Sequence, residues 1–202
     1  MKLKLCQTYI EVSFTLICAV AVCVISELYK SLIYCISAVI IHEAGHLAAM
    51  RLTGKFPERI KISLFEIDIS DSQRHTRSER ENALIIFFGP AANFICFIVC
   101  YLLYLNGSEI FGRFAPANLS VGCFNSLPVI TLDGGQLLHI LLCKKLSADK
   151  AGKIIDILTA AVLVPLAAAG FVVLFQSKYN FSLLFVCGYL ILSLIMRNKS
   201  YY

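Results

Sequence analysis

Long apolar runs dominate this chain, and few folds can accommodate them. Six segments approach or exceed the roughly 20 apolar residues that a helix needs to cross a hydrocarbon core. They cover residues 10–27, 32–52, 83–105, 116–143, 154–175 and 181–196. Of the 202 residues, 58% are hydrophobic and only 15% are charged, against roughly 45–50% and about 25% in a soluble domain. That balance excludes a disordered, collagenous or nucleic-acid-binding chain. The expectation is an all-α polytopic membrane protein with about six transmembrane helices, forming one membrane-embedded domain over residues 1–202, with the lipid bilayer as its surroundings.

Charge sets the orientation. With the N-terminus in the cytosol and one crossing per segment, every one of the 18 basic residues except Lys30, Arg113 and Lys178 falls on the cytosolic side, as the positive-inside rule requires. Both termini are then cytosolic. Lys2 and Lys4 ahead of an apolar run also fit a signal peptide, with a cleavage-like Ala19, Val20, Ala21; the run continues to Ile25, which favours an uncleaved anchor. The nine cysteines lie mostly within apolar stretches and form no CxxC pair, so they read as small buried hydrophobes.

Residues 53–82 form the longest polar stretch. Within it Ile60, Ile62 and Leu64 alternate with polar residues, and Phe65, Ile67 and Ile69 do so in the opposite phase. Two short strands or a bulge explain the slip. This predicts a short membrane-associated β segment near 60–69, either lying on the membrane surface or offering an edge to an extended peptide.

The fourth segment carries Asn125, Pro128 and the run Asp133, Gly134, Gly135, which oppose an unbroken helix. Irregular backbone at membrane depth survives only where protein buries it or a cavity receives it. Ionisable groups at that depth are costly and point to function. Deep in the spans they reduce to His42, Glu43, His46 and Asp133, with His139 nearer the cytosolic end. His42 and His46 are four apart, on one helical face, where both imidazoles reach a single ion. Glu43 stands beside them as a general base for a water molecule. Asp133 is the remaining deep carboxylate and a candidate third ligand, the alternative being a helix cap. His46 lies five residues before Arg51 and Asp133 eleven before Lys144, so both fall on the cytosolic side of mid-membrane. His139 is six residues past Asp133, about 120° around a helix, and His75 lies in the charged loop; neither joins the site.

His42, Glu43, Ala44, Gly45, His46 on one span, followed on a later span by Asn125, Pro128, Asp133, Gly134 and Gly135, resembles the site-2 protease family of intramembrane zinc metalloproteases. Phe88, Gly89, Pro90, Ala91, Ala92 and Asn93 on the intervening span resemble a further family motif. The compact six-span size is most like the stage IV sporulation branch, which processes a sigma-factor precursor. The resemblance implies a three-helix catalytic core, one Zn2+ held by His42, His46 and Asp133, and Glu43 as catalytic base. It also implies that Asn125 and Pro128 lie along the substrate path, and it adds Asn93 to the substrate-binding residues. Gln136 stands where the family more often has a basic residue. The small Gly89, Ala91 and Ala92 suit close packing of the third span on the zinc-binding helix.

The expected activity is hydrolysis of a peptide bond in or near a membrane segment of a protein substrate, possible examples being a sigma-factor precursor or an anti-sigma factor. A regulatory membrane partner, a bacterial cell membrane or the membrane around a forespore, and an active site opening to the cytosol complete the expectation. The rival is a non-catalytic metal-binding membrane protein, a carrier or a pseudoprotease. The absence of an internal repeat argues against a carrier.

Overall fold

The structure is a computed structural model that describes residues 2–5, 8–12, 29–54, 59–62, 67–70, 77–177, 186–188 and 190–191. The chain divides into two compact units, Met1–Cys123 and Phe124–Tyr202, the boundary falling in the last turn of the helix Phe111–Asn125.

The first unit opens with strands β1 (Lys2–Leu5) and β2 (Thr8–Val12). Helix α1 (Tyr29–Leu52) follows, then β3 (Arg59–Ile62), β4 (Ile67–Ser70), helix α2 (Glu79–Leu105) and helix α3 (Phe111–Asn125). The strands form one sheet in the order β1-β2-β3-β4. The outer pairs are antiparallel and the central β2–β3 pair is parallel. Ile60 stands opposite Ile69 and Ile62 opposite Ile67, so the phase slip in the sequence falls between two strands.

Helix α2 is bounded by local chemistry at both ends. Ser78 and Glu81 form a reciprocal capping box, the Ser78 hydroxyl accepting from Glu81 N–H at 3.2 Å and Glu81 Oε2 from Ser78 N–H at 3.0 Å. At the other end Gly107, at φ 94°, turns the chain into the left-handed region. Its N–H then bonds the Tyr104 carbonyl at 2.9 Å, and that of Ser108 bonds Leu103 at 3.2 Å, a Schellman closure.

Helices α1 and α2 meet through small residues. A Cβ on Gly45 would overlap the Phe88 carbonyl oxygen and come within 2.9 Å of Ala92 Cβ. Ala49, Met50 and Ile85 are buried at this contact, with Leu47 and Phe88 beside them. Helix α3 presents Ala115, Asn118 and Gly122, three or four residues apart, as its buried stripe. Tyr34 on α1 meets Phe114 edge to face at 5.0 Å.

The second unit holds helices α4 (Asp133–Cys143) and α5 (Ala148–Ser177). Residues 126–132, between α3 and α4, are not helical. Thr159 on α5 supports this connection: its hydroxyl accepts from Ile130 N–H at 3.3 Å and donates to the Pro128 carbonyl at 3.5 Å. Val129, Leu132, Leu163 and Leu190 form the unit's buried core.

Among the described residues, three helices are long and apolar enough to cross a membrane: Leu32–Leu52, Glu79–Leu105 and Ala148–Gln176. They coincide with the second, third and fifth expected spans. The fourth, 116–143, divides into two helices, because Pro128 lacks an N–H for a ladder and the connection bonds to Thr159 instead. The first, 10–27, begins differently from the expectation: residues 10–12 belong to β2. There Thr8 to Val12 largely alternate polar and apolar residues, a period of two that suits a strand and not a span. Residues 13–27 lie outside the described residues. In the sixth, residues 186–188 and 190–191 are helical, and the others lie outside the described residues.

Candidate metal centre

Helix α1 sets His42 and His46 one turn apart on the face toward α2. His42 is 5% exposed, and His46 and Glu43 are half-buried. The two rings stand edge to face with centroids 4.8 Å apart, and their Nε2 atoms are 3.2 Å apart.

The ring protons can be placed by following the hydrogen bonds outward. Asn118 Nδ2 donates to the Phe114 carbonyl at 3.0 Å, which leaves Asn118 Oδ1 as an acceptor. Asn93 Nδ2 donates to that oxygen at 3.0 Å and to the Ala38 carbonyl at 2.8 Å. Asn93 Oδ1 must therefore be the atom facing His42 Nδ1, at 2.9 Å, and the ring nitrogen carries the proton. His46 Nδ1 faces the Ile85 carbonyl at 2.8 Å; a carbonyl only accepts, so this nitrogen is protonated too. With Nδ1 protonated, the lone pair of each neutral ring is on Nε2, and two such lone pairs at 3.2 Å need a cation between them, a shared proton or a metal ion.

Gly89 makes room for this pair. A Cβ there would overlap the His46 ring and lie 2.9 Å from His42 Cε1. The expectation that Gly89 serves helix packing therefore gains a second reason: its missing side chain is space that the two imidazoles occupy.

In the second unit, Asp133 is the first residue of α4, and the N-cap is Leu132, with no side-chain capping bond. The capping role weighed for Asp133 is thus not the one it fills. Its carboxylate is half-buried in the first helical turn, where the helix dipole favours negative charge. The two glycines that follow are needed for contact. A Cβ on Gly134 would overlap the Ser126 carbonyl, and one on Gly135 the Val129 carbonyl, so the 126–130 backbone folds directly over the start of α4. They do not interrupt α4, which is regular from Asp133 onward.

The remaining expected residues have distinct places. Asn93 is fully buried behind the His42 ring, both of its amide atoms engaged. Asn125 ends α3, and Pro128 lends its carbonyl to Thr159. Gln136 is half-buried on α4. His139 lies beside Cys143, with Sγ 3.8 Å from Nε2. His75 lies outside the described residues. Sequence reasoning missed the Ile85 carbonyl, Asn118 and Thr159. A backbone carbonyl leaves no trace in a sequence, but Asn118 was detectable as an amide within an apolar run.

The donors suit zinc. Two nitrogens on one tetrahedral zinc at about 2.0–2.1 Å stand roughly 3.3–3.4 Å apart, close to the 3.2 Å between these Nε2 atoms. Each ring's other nitrogen is anchored to an oxygen, the arrangement that orients metal-binding histidines.

Known proteins resemble this chain in fold and in sequence. A solved site-2 protease from Methanocaldococcus jannaschii superposes with a TM-score of 0.69, covering 94% of this chain and 91% of that one at 22% identity. The fold is that of a site-2 protease. Two curated proteins are also similar in sequence. Stage IV sporulation protein FB of Bacillus subtilis is 28% identical over 128 residues, which cover 62% of this chain and 44% of that protein. A zinc metalloprotease of Methanocaldococcus jannaschii is 29% identical over 124 residues, covering 58% of this chain and 35% of that protein. The matches span less than half the length of either curated relative. No family model matches the sequence. The resemblance to site-2 proteases is thus present in both sequence and fold.

Proposed function

We propose that this chain is an intramembrane zinc metalloendopeptidase of the site-2 protease family. In this reading His42, His46 and Asp133 hold one Zn2+, the ligand set that the family resemblance implies. The observation that carries it is the fixed pair of Nδ1–H rings, which turns both Nε2 lone pairs toward one point. The carboxylate adds a hard anionic donor of the kind that completes catalytic zinc sites.

When bound, zinc polarises a carbonyl and lowers the pKa of water to about 7. The rest of the chemistry belongs to the chain. Glu43, adjacent to His42 on α1, takes the proton from the attacking water and delivers it to the leaving amine. Half-burial of Glu43 limits competing hydration of its carboxylate. A substrate helix conceals its carbonyls in its own hydrogen bonds, so it must unwind locally before attack. Asn125 and Pro128 are proposed to line the path that holds it extended. The substrate is a membrane-associated protein segment, of the sigma-factor-precursor or anti-sigma class that the sporulation resemblance implies. A regulatory membrane partner and a site opening to the cytosol belong to the same reading.

The test uses the zinc-loaded protein in lipid vesicles and a membrane-spanning reporter peptide with a glycine-rich, helix-weak centre. Mass spectrometry of the products is expected to show internal cleavage that chelation abolishes and zinc restores. Glu43→Gln should lower the rate by roughly 10²–10⁴-fold while elemental analysis still finds zinc. Undiminished cleavage by this variant would overturn the role given to Glu43, and a protein that takes up no zinc would overturn the metal centre.

A further inference from the structure

We infer that Asn118 is a positioning residue that acts through Asn93 to hold the His42 ring in its Nδ1–H tautomer, a role that gains its purpose from the zinc site proposed above. Asn118 and Asn93 are each 0% exposed, and they come from different helices, α3 and α2. The hydrogen bonds run in one direction without ambiguity. The Phe114 carbonyl accepts from Asn118 Nδ2. Asn118 Oδ1 accepts from Asn93 Nδ2, and Asn93 Oδ1 accepts from His42 Nδ1–H.

The direction matters because an amide has two faces that a helix packs almost equally well. Turned over, Asn93 would present Nδ2 to His42, whose Nδ1 would then have to accept. The proton would move to Nε2, and the ring could no longer give that nitrogen's lone pair to a cation. Two acceptors oppose the turn: the Ala38 carbonyl on α1 at 2.8 Å and Asn118 Oδ1 on α3 at 3.0 Å. Water cannot replace a lost acceptor within a hydrocarbon layer, so each of the two carries weight. Asn118 cannot turn over without setting its own oxygen against the Phe114 carbonyl. Its orientation is therefore determined by its own helix and passed on to α2 and α1. Gly122, one turn further along α3, permits the approach; a Cβ there would lie 3.2 Å from Asn93 Cβ.

The test reads the ring directly, without substrate. The metal-free protein, labelled with nitrogen-15 histidine, is examined by NMR in detergent micelles above the pH where the rings titrate. The chain has only 4 histidines, so variants at the other three assign the signals. In the wild type His42 should be protonated on Nδ1. Asn118→Leu should shift a measurable fraction of His42 to the Nε2–H form and weaken zinc binding roughly tenfold, the lower end of the range for disturbed metal-ligand support. Asn118→Asp, which as a buried neutral acid keeps one oxygen for Asn93 and one O–H for Phe114, should stay within about threefold of the wild type.

A wild-type ring protonated on Nε2 would overturn the inference. So would Asn118→Leu with an unchanged ring and zinc affinity within about twofold of the wild type. If the leucine variant does not fold, the wild-type ring and the aspartate variant decide: Nε2 protonation in either one overturns the inference. A wild type that binds no zinc, yet shows the Nδ1–H ring and its shift in the variant, would sink the metal centre and leave the action of Asn118 on His42 standing.

Discussion

At Gly89 a single hydrogen atom occupies the place where any other residue would put a methyl group against the His46 ring. Gly89→Ala should therefore displace the imidazole pair. Overpacking of this kind costs about 1–3 kcal/mol, and the expected result is weaker zinc binding by calorimetry together with a lower melting temperature. Gly54 supplies the contrast. It has φ +73° and no atom within 4 Å of an added Cβ, so Gly54→Ala should cost about 1–2 kcal/mol of backbone strain and leave zinc affinity unchanged. At this scale the sequence was legible where chemistry is local. The spacing of His42, Glu43 and His46 is a property of one helix, and an apolar context made their charges conspicuous. The proton positions were not legible, because they depend on Ile85, Asn93 and Asn118, which lie 39, 51 and 76 positions from their histidines or beyond. Only folding brings those partners to the rings.

Among the elements, the irregular connection before α4 has the clearest dependence on a single side chain. Thr159 receives the Ile130 N–H and donates to the Pro128 carbonyl, and the threonine is 3% exposed. Thr159→Val keeps the shape and removes both bonds. A buried group left without its partner costs about 1–3 kcal/mol, so the variant should melt earlier. Amide exchange at Ile130 should speed up, while α5 itself remains helical by circular dichroism. Periodicity and run length anticipated α1, α2 and α5 closely, because a span must satisfy its backbone internally and a helix does so within its own segment. The break at 126–132 was visible in Pro128 and the paired glycines. What those glycines do was not visible, since the Ser126 and Val129 carbonyls that need the space approach them only in the folded chain. The strands β1 and β2 were obscured because an apolar run follows directly, and a window wide enough to find a span absorbs Thr8 to Val12 into it.

For the molecule as a whole, the bilayer imposes what neither residue nor element can: a direction. Exposed apolar residues such as Ile95, Ile98 and Leu102 on α2, and Ile157, Val164 and Phe175 on α5, are what lipid-facing surfaces need, since a hydrocarbon solvent gives no reason to bury them. The proposed orientation follows from the basic residues, with Lys144, Lys145, Lys150 and Lys153 clustered around the start of α5 and held in the cytosol. Ser108 follows the end of α2 and Ser147 precedes α5, and both are exposed. The proposed topology puts them on opposite sides of the membrane. In a background with the native cysteines replaced, Ser108→Cys should react with a membrane-impermeant maleimide added to intact cells, and Ser147→Cys only after the membrane is opened. Moving the cluster tests the cause: replacing all four lysines with glutamine should blur the difference, because those charges carry part of the energy that separates the two orientations. The reverse labelling pattern would put His46, only about 7.5 Å of helix from Arg51, near the outer surface, and a cytosolic substrate class would have to be abandoned.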